Sequence, residues 1–392
     1  MSVRYSTRSS HQNVRNALTI ARDALSSSGR PCLDLTVSNP TRAELPYDDA
    51  AILAALHDER SLVYEPEPFG LLSAREAIAR ELGVAIAPPS RIVLTASTSE
   101  AYAFLFKLLC DPGDNVLVPQ PSYPLFELLA RFEEVQLVPY RLAYDGQWHV
   151  DTDSLRRAVG PHTRAILAVS PNNPTGSYIK REELASMTEL GLPIVSDEVF
   201  ASYAFEDDPR RAATVLEAAA AGTGALVFAL GGLSKLAALP QMKLAWIAAG
   251  GPDTIVQQAL ERLELIADSF LSVSTPVQHA APSLLAARGP TERAIRERTR
   301  DNLATLRGLV GGGSAASVLN VEGGWYATVR LPRVQSEERW ALDLLEKDGV
   351  YTHPGHFFDF EDEAHVVVSL LTTREVFAEG VRRIVSRVAA LV

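Results

Sequence analysis

Ala225-Leu226-Val227-Phe228-Ala229-Leu230-Gly231-Gly232-Leu233-Ser234-Lys235 is the run that decides the fold. Its first half is a short, uninterrupted apolar stretch, the signature of a buried strand. Two glycines follow, and a lysine stands just beyond the strand tip. A primary amine held there is desolvated, which lowers its pKa and frees its lone pair for Schiff-base chemistry.

Working outward, the same apolar runs recur. Candidate strands lie at 92–96, 115–119, 165–170, 193–197, 225–230 and 243–249, alternating with helical patterns. In the segment 100–110, Ala101, Phe104, Leu105, Leu108 and Leu109 follow helical spacing; 180–190 and 253–267 also read as helices. This alternation implies an α/β chain, a three-layer fold with a mostly parallel central sheet covered by helices on both faces. In such sheets ligands bind beyond the carboxyl ends of the strands. Ser97, Tyr123, Asn173, Asp197 and Lys235 all fall at such ends.

Each of these residues suits one part of a single ligand. Ala96-Ser97-Thr98-Ser99-Glu100 joins a strand to a helix, and a helix N-terminus with added hydroxyls is a phosphate cradle, or else an ordinary Ser/Thr cap. Tyr123, in Pro121-Ser122-Tyr123-Pro124, can stack on a planar ring. Ser170-Pro171-Asn172-Asn173-Pro174-Thr175-Gly176 holds an amide on a rigid turn, and Asp197 can pair with a protonated ring nitrogen. A ligand that is anionic at one end, flat, basic in its ring and bearing an aldehyde for Lys235 is pyridoxal 5′-phosphate.

On these residues the chain resembles the fold type I, class I/II aminotransferases of the aspartate aminotransferase superfamily, over nearly its whole length. The resemblance implies that Lys235 forms the Schiff base and shuttles the substrate's α-proton. It implies that Ser97, Thr98 and Ser99 bind the phosphate and that Tyr123 stacks on the ring. Asn173 is implied to bond the ring hydroxyl and Asp197 the pyridine nitrogen. Tyr64, in Val63-Tyr64-Glu65-Pro66, matches a tyrosine that reaches the neighbouring subunit's phosphate, which implies a homodimer.

Four positions depart from the family pattern. Lys243 stands where a phosphate-clamping arginine is usual, and a lysine cannot form the bidentate fork. Phe200 replaces a tyrosine that donates to the ring hydroxyl, with Tyr203 as a weak substitute. Val367, in Val366-Val367-Val368-Ser369, replaces the arginine that grips the substrate α-carboxylate; Arg374 and Arg330 are the candidate replacements. Phe270 aligns with a second arginine of aspartate-specific members, which argues against a dicarboxylate. Ser38 and Asn39 lie in the loop that lines the family's substrate pocket, while His353 and His356 are expected in a surface loop.

A large cofactor-binding domain is expected over 46–280, with 1–45 and 281–392 forming a smaller α+β domain. That smaller unit is expected to contain a helix from Asn13 to Ser28, a helix over 291–310, strands near 324–331 and 366–371, and a C-terminal helix from Glu375. The net charge of −11 argues against nucleic acid as a partner. No apolar stretch reaches membrane length, and the two cysteines, Cys32 and Cys110, form no metal or disulfide pattern, which fits the cytoplasm. The expected activity is transfer of an amino group between a non-dicarboxylic amino acid and a 2-oxo acid. The alternative is a non-transaminating enzyme of the same fold, such as a β/γ-eliminating lyase or a cyclase acting on an unusual amino acid. A transcriptional regulator is disfavoured, since no basic helix-turn-helix segment precedes residue 90.

Overall fold

The computed structural model describes residues 3–10, 15–362 and 364–392. Its centre is an eight-stranded sheet in the spatial order Ile92–Thr95, Ala245–Gly250, Val227–Gly232, Ile194–Asp197, Thr163–Val169, Asn115–Gln120, Gln136–Tyr144, Trp148–Val150. The pairings from Val227–Gly232 to Gln136–Tyr144 are parallel, whereas Ala245–Gly250 runs antiparallel to both its neighbours and Trp148–Val150 is antiparallel at one edge. Each expected strand is present within two residues. Gln136–Tyr144 was not expected: its partly exposed pattern and its Pro139 and Arg141 hide the periodicity of a buried strand. It intervenes in the chain between two of the five functional strand ends, which are therefore not consecutive.

The pleat sorts this sheet's side chains into two cores. Val93, Val116, Leu167, Phe228 and Ile247 pack on one face, and their chain neighbours Leu94, Leu117, Ile166, Ala229 and Trp246 pack on the other. On the first face lie the helices Thr98–Leu109 and Asp253–Phe270. Both faces are covered, so the strands read as apolar runs rather than as alternating ones.

A second, four-stranded antiparallel sheet is built from Ser317–Val318, Tyr326–Arg330, His365–Ser369 and His353–Pro354, in that order. One face, with Ala327, Val329, Val366 and Val368, packs on Trp340, Phe377 and Ile384. The other carries Tyr326, Thr328, Val367, Ser369 and His353 by strand alternation. The N-terminal segment joins this part of the molecule: Leu33–Asp34 pairs in parallel with Val350–Tyr351, and Leu18 and Leu25 of the helix Ala17–Ser27 pack against Ala341 and Leu345 of Glu337–Asp348. That helix was expected from Asn13, which lies outside the described residues.

The first of the two glycines before Lys235 has a packing reason. Gly231 pairs with Trp246 on the adjacent strand, and a Cβ at Gly231 would lie 2.6 Å from the indole. Gly176 closes the Pro-Asn turn at φ 71°, with a Cβ there meeting Gly323 O at 2.6 Å. Replacing Gly231 by valine forces the buried indole aside, and overpacking of this kind destabilises by about 1–3 kcal/mol. Urea unfolding of the Gly231→Val variant should show a correspondingly lower midpoint at unchanged slope; an unchanged midpoint would show that Trp246 can yield.

Candidate active site

The carboxyl ends of the parallel strands face the second sheet across a cavity of about 330 Å³. The large sheet contributes Thr98, Val169, Asn173, Asp197 and Lys235, and the second sheet contributes Tyr326 and His353. Tyr123, Phe126, Phe200 and Phe358 line the space between them, with Ser38 from the N-terminal segment.

Lys235 sits one turn past the strand tip, on the short helix Leu233–Leu236. Its Nζ lies 4.8 Å from the ring centre of Trp325 and 5.4 Å from that of Phe200, a cation–π arrangement on two buried aromatics. Burial pulls the amine down to about 8, and the charge of Asp197 acts in the opposite direction. Asp197 feels the same environment with inverted sign: burial lifts its carboxyl to about 6 against the pull of its hydrogen bonds and of Lys235. Oδ1 accepts from Val199 N–H at 3.2 Å, and Tyr102 donates its hydroxyl to Oδ2 at 3.5 Å. No helix starts at Asp197, so its carboxylate is not a helix cap. Its neighbour Glu198 turns away and accepts from Val215 N–H at 2.7 Å.

Asn173 is buried, and its Oδ1 has no hydrogen-bond partner among the described residues. A buried carbonyl oxygen without a donor costs about 1–3 kcal/mol, and a ligand hydroxyl entering the cavity relieves that. The turn that carries Asn173 is stiffened by Asn172, which accepts from Thr175 Oγ1 at 3.1 Å, and by Gly176 N–H donating to Asn172 O at 2.7 Å. At the start of Thr98–Leu109, Ser97 caps the helix by accepting from Glu100 N–H at 3.2 Å, while Thr98 lines the cavity. Ser99 is half-buried beside them and is not part of the cavity wall. Lys243 precedes the antiparallel strand, which puts it at the same sheet edge; it is exposed, with φ 54°, and lies outside the wall.

Of the remaining expected residues, Phe200 lines the cavity and the structure separates the others from it. Arg374 is tied to Asp301 by an ion pair at 2.7 Å where its helix begins. Arg330 is exposed and stacks over Tyr144 at 5.5 Å, beside a different, smaller cavity. Neither fills the place of an arginine at Val367. Asn39 spends its Oδ1 on Thr41, accepting from the amide and the hydroxyl. Phe270 stacks on Phe104 at 5.2 Å on the outer side of the helix layer. Tyr64 is 75% exposed, in a shallow pocket with Leu271 and Gln278. Phe200 meets Trp325 edge-on at 5.1 Å, and Tyr203 donates its hydroxyl to Lys235 O at 2.7 Å, so Tyr203 is not the substitute its sequence position suggests.

Residues that sequence reading passed over complete the wall. Tyr102 lies four residues beyond Thr98 on the same helix face, a spacing that would have revealed it. Tyr326 alternates with the core-facing Ala327, the usual strand signal. His353, expected in a surface loop, is a strand residue paired with Val367 and faces the cavity. Its neighbour His356 is exposed.

These features meet known proteins in one family. The family description "Aminotransferase class I and II" matches residues 30–384, and the chain belongs to that family. It is 25% identical over 361 residues to the glutamate-pyruvate aminotransferase AlaA of Haemophilus influenzae, covering 87% of this chain and 86% of the other. It is 24% identical to the tyrosine aminotransferase of Mus musculus, covering 86% and 77% respectively. In fold it resembles the alanine aminotransferase of Pyrococcus furiosus, with a TM-score of 0.87 at 22% identity over 99% of this chain and 100% of that one. Members of the family depend on pyridoxal phosphate, and this chain is a pyridoxal-phosphate-dependent aminotransferase. The orphaned Asn173 oxygen, the buried Asp197 and the desolvated Lys235 are chemically fitted to that group.

A lysine amine reacts with aldehydes only when neutral. Reductive methylation of the cofactor-free protein with formaldehyde, read at Lys235 by mass spectrometry, should therefore rise with pH through a midpoint near 8, against about 10.4 for an unperturbed lysine. Asp197 favours the charged amine, so Asp197→Asn should move that midpoint lower; a midpoint that stays put or rises contradicts the coupling.

Proposed function

We propose that this protein transfers the amino group of a monocarboxylic amino acid with an apolar or aromatic side chain to a 2-oxo acid. The observation that carries this reading is the cavity wall. Tyr123, Phe126, Phe200, Tyr326 and Phe358 surround Lys235, and no arginine is among the described residues that line it. A second substrate carboxylate would enter without a cation to meet it, at a desolvation penalty of several kcal/mol.

When bound, pyridoxal phosphate supplies the electron sink for the pair left at the substrate α-carbon. The residues around it divide the remaining work. Lys235 Nζ, its pKa drawn down by burial to about 8, would accept the α-proton and return it, since a base works best with a pKa near the operating pH. Asp197 would set its charge against the ring nitrogen, with Tyr102 and Val199 N–H holding the carboxylate in place. Asn173 would meet the ring hydroxyl, and Tyr123 would pack against the ring. Thr98, flanked by Ser97 and Ser99, presents the helix N-terminus to the phosphate, and Lys243 adds charge at the same sheet edge.

The chain is further proposed to act as a homodimer in the cytoplasm, with Tyr64 reaching the partner's site. Exposure of Leu62, Val63, Tyr64 and Phe270 supports such an interface, because apolar groups of this size together mark surfaces covered in the working molecule. Sedimentation equilibrium should then give twice the chain mass of 42.5 kDa; a monomer at micromolar concentration contradicts it.

Transamination is separated from elimination by offering the holoenzyme amino acids with no acceptor present. Transfer leaves the cofactor in its amine form and releases one equivalent of 2-oxo acid without ammonia. Leucine- or phenylalanine-like donors should exceed aspartate by about 10- to 100-fold in kcat/KM, the loss of one charge-assisted contact being worth roughly 1.5–3 kcal/mol. Lys235→Ala should abolish turnover. Ammonia release in place of amine-form cofactor would instead assign the protein to the eliminating class.

A further inference from the structure

A monocarboxylic amino acid and a 2-oxo acid share one anionic group, and the cavity must supply a donor for it. The basic side chains among the described residues lining the cavity are Lys235 and His353. Lys235 is committed to the aldehyde end. His353 stands in the strand row that matters for the other end. Across the second sheet, Thr328, Val367 and His353 are direct neighbours in register, with Val367 in the middle. Adjacent strands lie about 4.8 Å apart, so the imidazole occupies the position next to the valine on the same face.

The surroundings of His353 are those of a donor kept for a ligand. Its ring sits against Tyr351 at 5.8 Å, Phe357 at 5.9 Å and Phe358 at 6.0 Å, contacts that fix the ring without engaging its nitrogens. Thr328 adds a buried hydroxyl with no partner among the described residues in the same row. Burial keeps the imidazole below its ordinary pKa, with Asp34 pulling it up and Arg22 pushing it down; Lys235 and Asp197 are the charges across the cavity. A neutral imidazole offers one N–H, enough to fix one carboxylate oxygen.

We infer that His353 binds the substrate carboxylate, taking over from the strand position occupied by Val367. The inference rests on the transaminase reading of this cavity, and its test is a binding measurement that does not require turnover. The probe is 3-phenylpropionate against its uncharged amide, titrated into the holoenzyme and followed calorimetrically. In the wild type the carboxylate should bind more tightly than the amide. His353→Phe keeps the aromatic packing and removes the N–H; it should weaken carboxylate binding on the order of 10- to 100-fold and leave the amide's affinity as it was. His353→Gln retains an N–H donor and should fall between the two; it also serves if the phenylalanine variant does not fold. In turnover the same variants should raise KM for the amino acid far more than they lower kcat.

Equal carboxylate affinity in the wild type and both variants overturns the role of His353, whatever reaction the enzyme catalyses. Loss of carboxylate binding in an enzyme that releases ammonia instead overturns the transaminase reading and leaves His353 as the carboxylate's donor.

Discussion

Asp197 and Lys235 share one desolvated cavity, and the rest of the site depends on that pairing. Each would be an expensive isolated charge, and burial works on both: it pulls the amine towards its neutral form and the carboxyl towards its protonated form. Their mutual attraction opposes this in part, and the balance leaves the amine at about 8 and the carboxyl at about 6, both nearer neutral pH than their ordinary values. A lysine outside this environment would stay protonated and unreactive. A carboxyl without its hydrogen bonds from Tyr102 and Val199 would lose its charge, and with it the means to hold a ring nitrogen protonated.

The parallel sheet makes that environment possible. Its strands deliver Asp197, Asn173 and Lys235 to one edge, and the reversed strand Ala245–Gly250 brings Lys243 to the same edge from the opposite direction. Gly231 lets Trp246 lie flat against the strand that leads to Lys235, and Gly176 lets the Asn173 turn approach the loop at Val321 and Gly323. These close contacts fix the positions of the reactive groups more firmly than loops could. The second sheet closes the cavity from the other side, and there the chemistry departs from that of a typical family member.

Of the residues the sequence proposed, those assigned to the cofactor mostly line the cavity and those assigned to the substrate mostly do not. Ser97, Tyr123, Asn173, Asp197 and Lys235 each stand at or just beyond the carboxyl end of a strand, and such ends are local: a few contiguous residues define both the turn and its direction. Thr98, Tyr123, Asn173, Asp197 and Lys235 all reached the cavity wall. Arg374, Arg330, Asn39 and Phe270 did not, because alignment places a residue on an element but not among its partners. Arg374 found Asp301, and Asn39 found Thr41. Tyr203 went to the carbonyl of Lys235, a partner 32 positions away that no local pattern announces.

The sequence by itself determined the α/β class, the strands of the central sheet apart from Gln136–Tyr144 and its short hairpin partner, and the residues suited to the cofactor. Hydrophobic periodicity and turn chemistry act over a few residues and are written directly in the chain. Only the tertiary structure decided what faces Lys235 across the cavity. His353 and Tyr326 arrive from strands about a hundred residues further along, and strand register alone sets His353 beside Val367. Register depends on every side chain packed against the sheet at once, and so it cannot be read from any one segment.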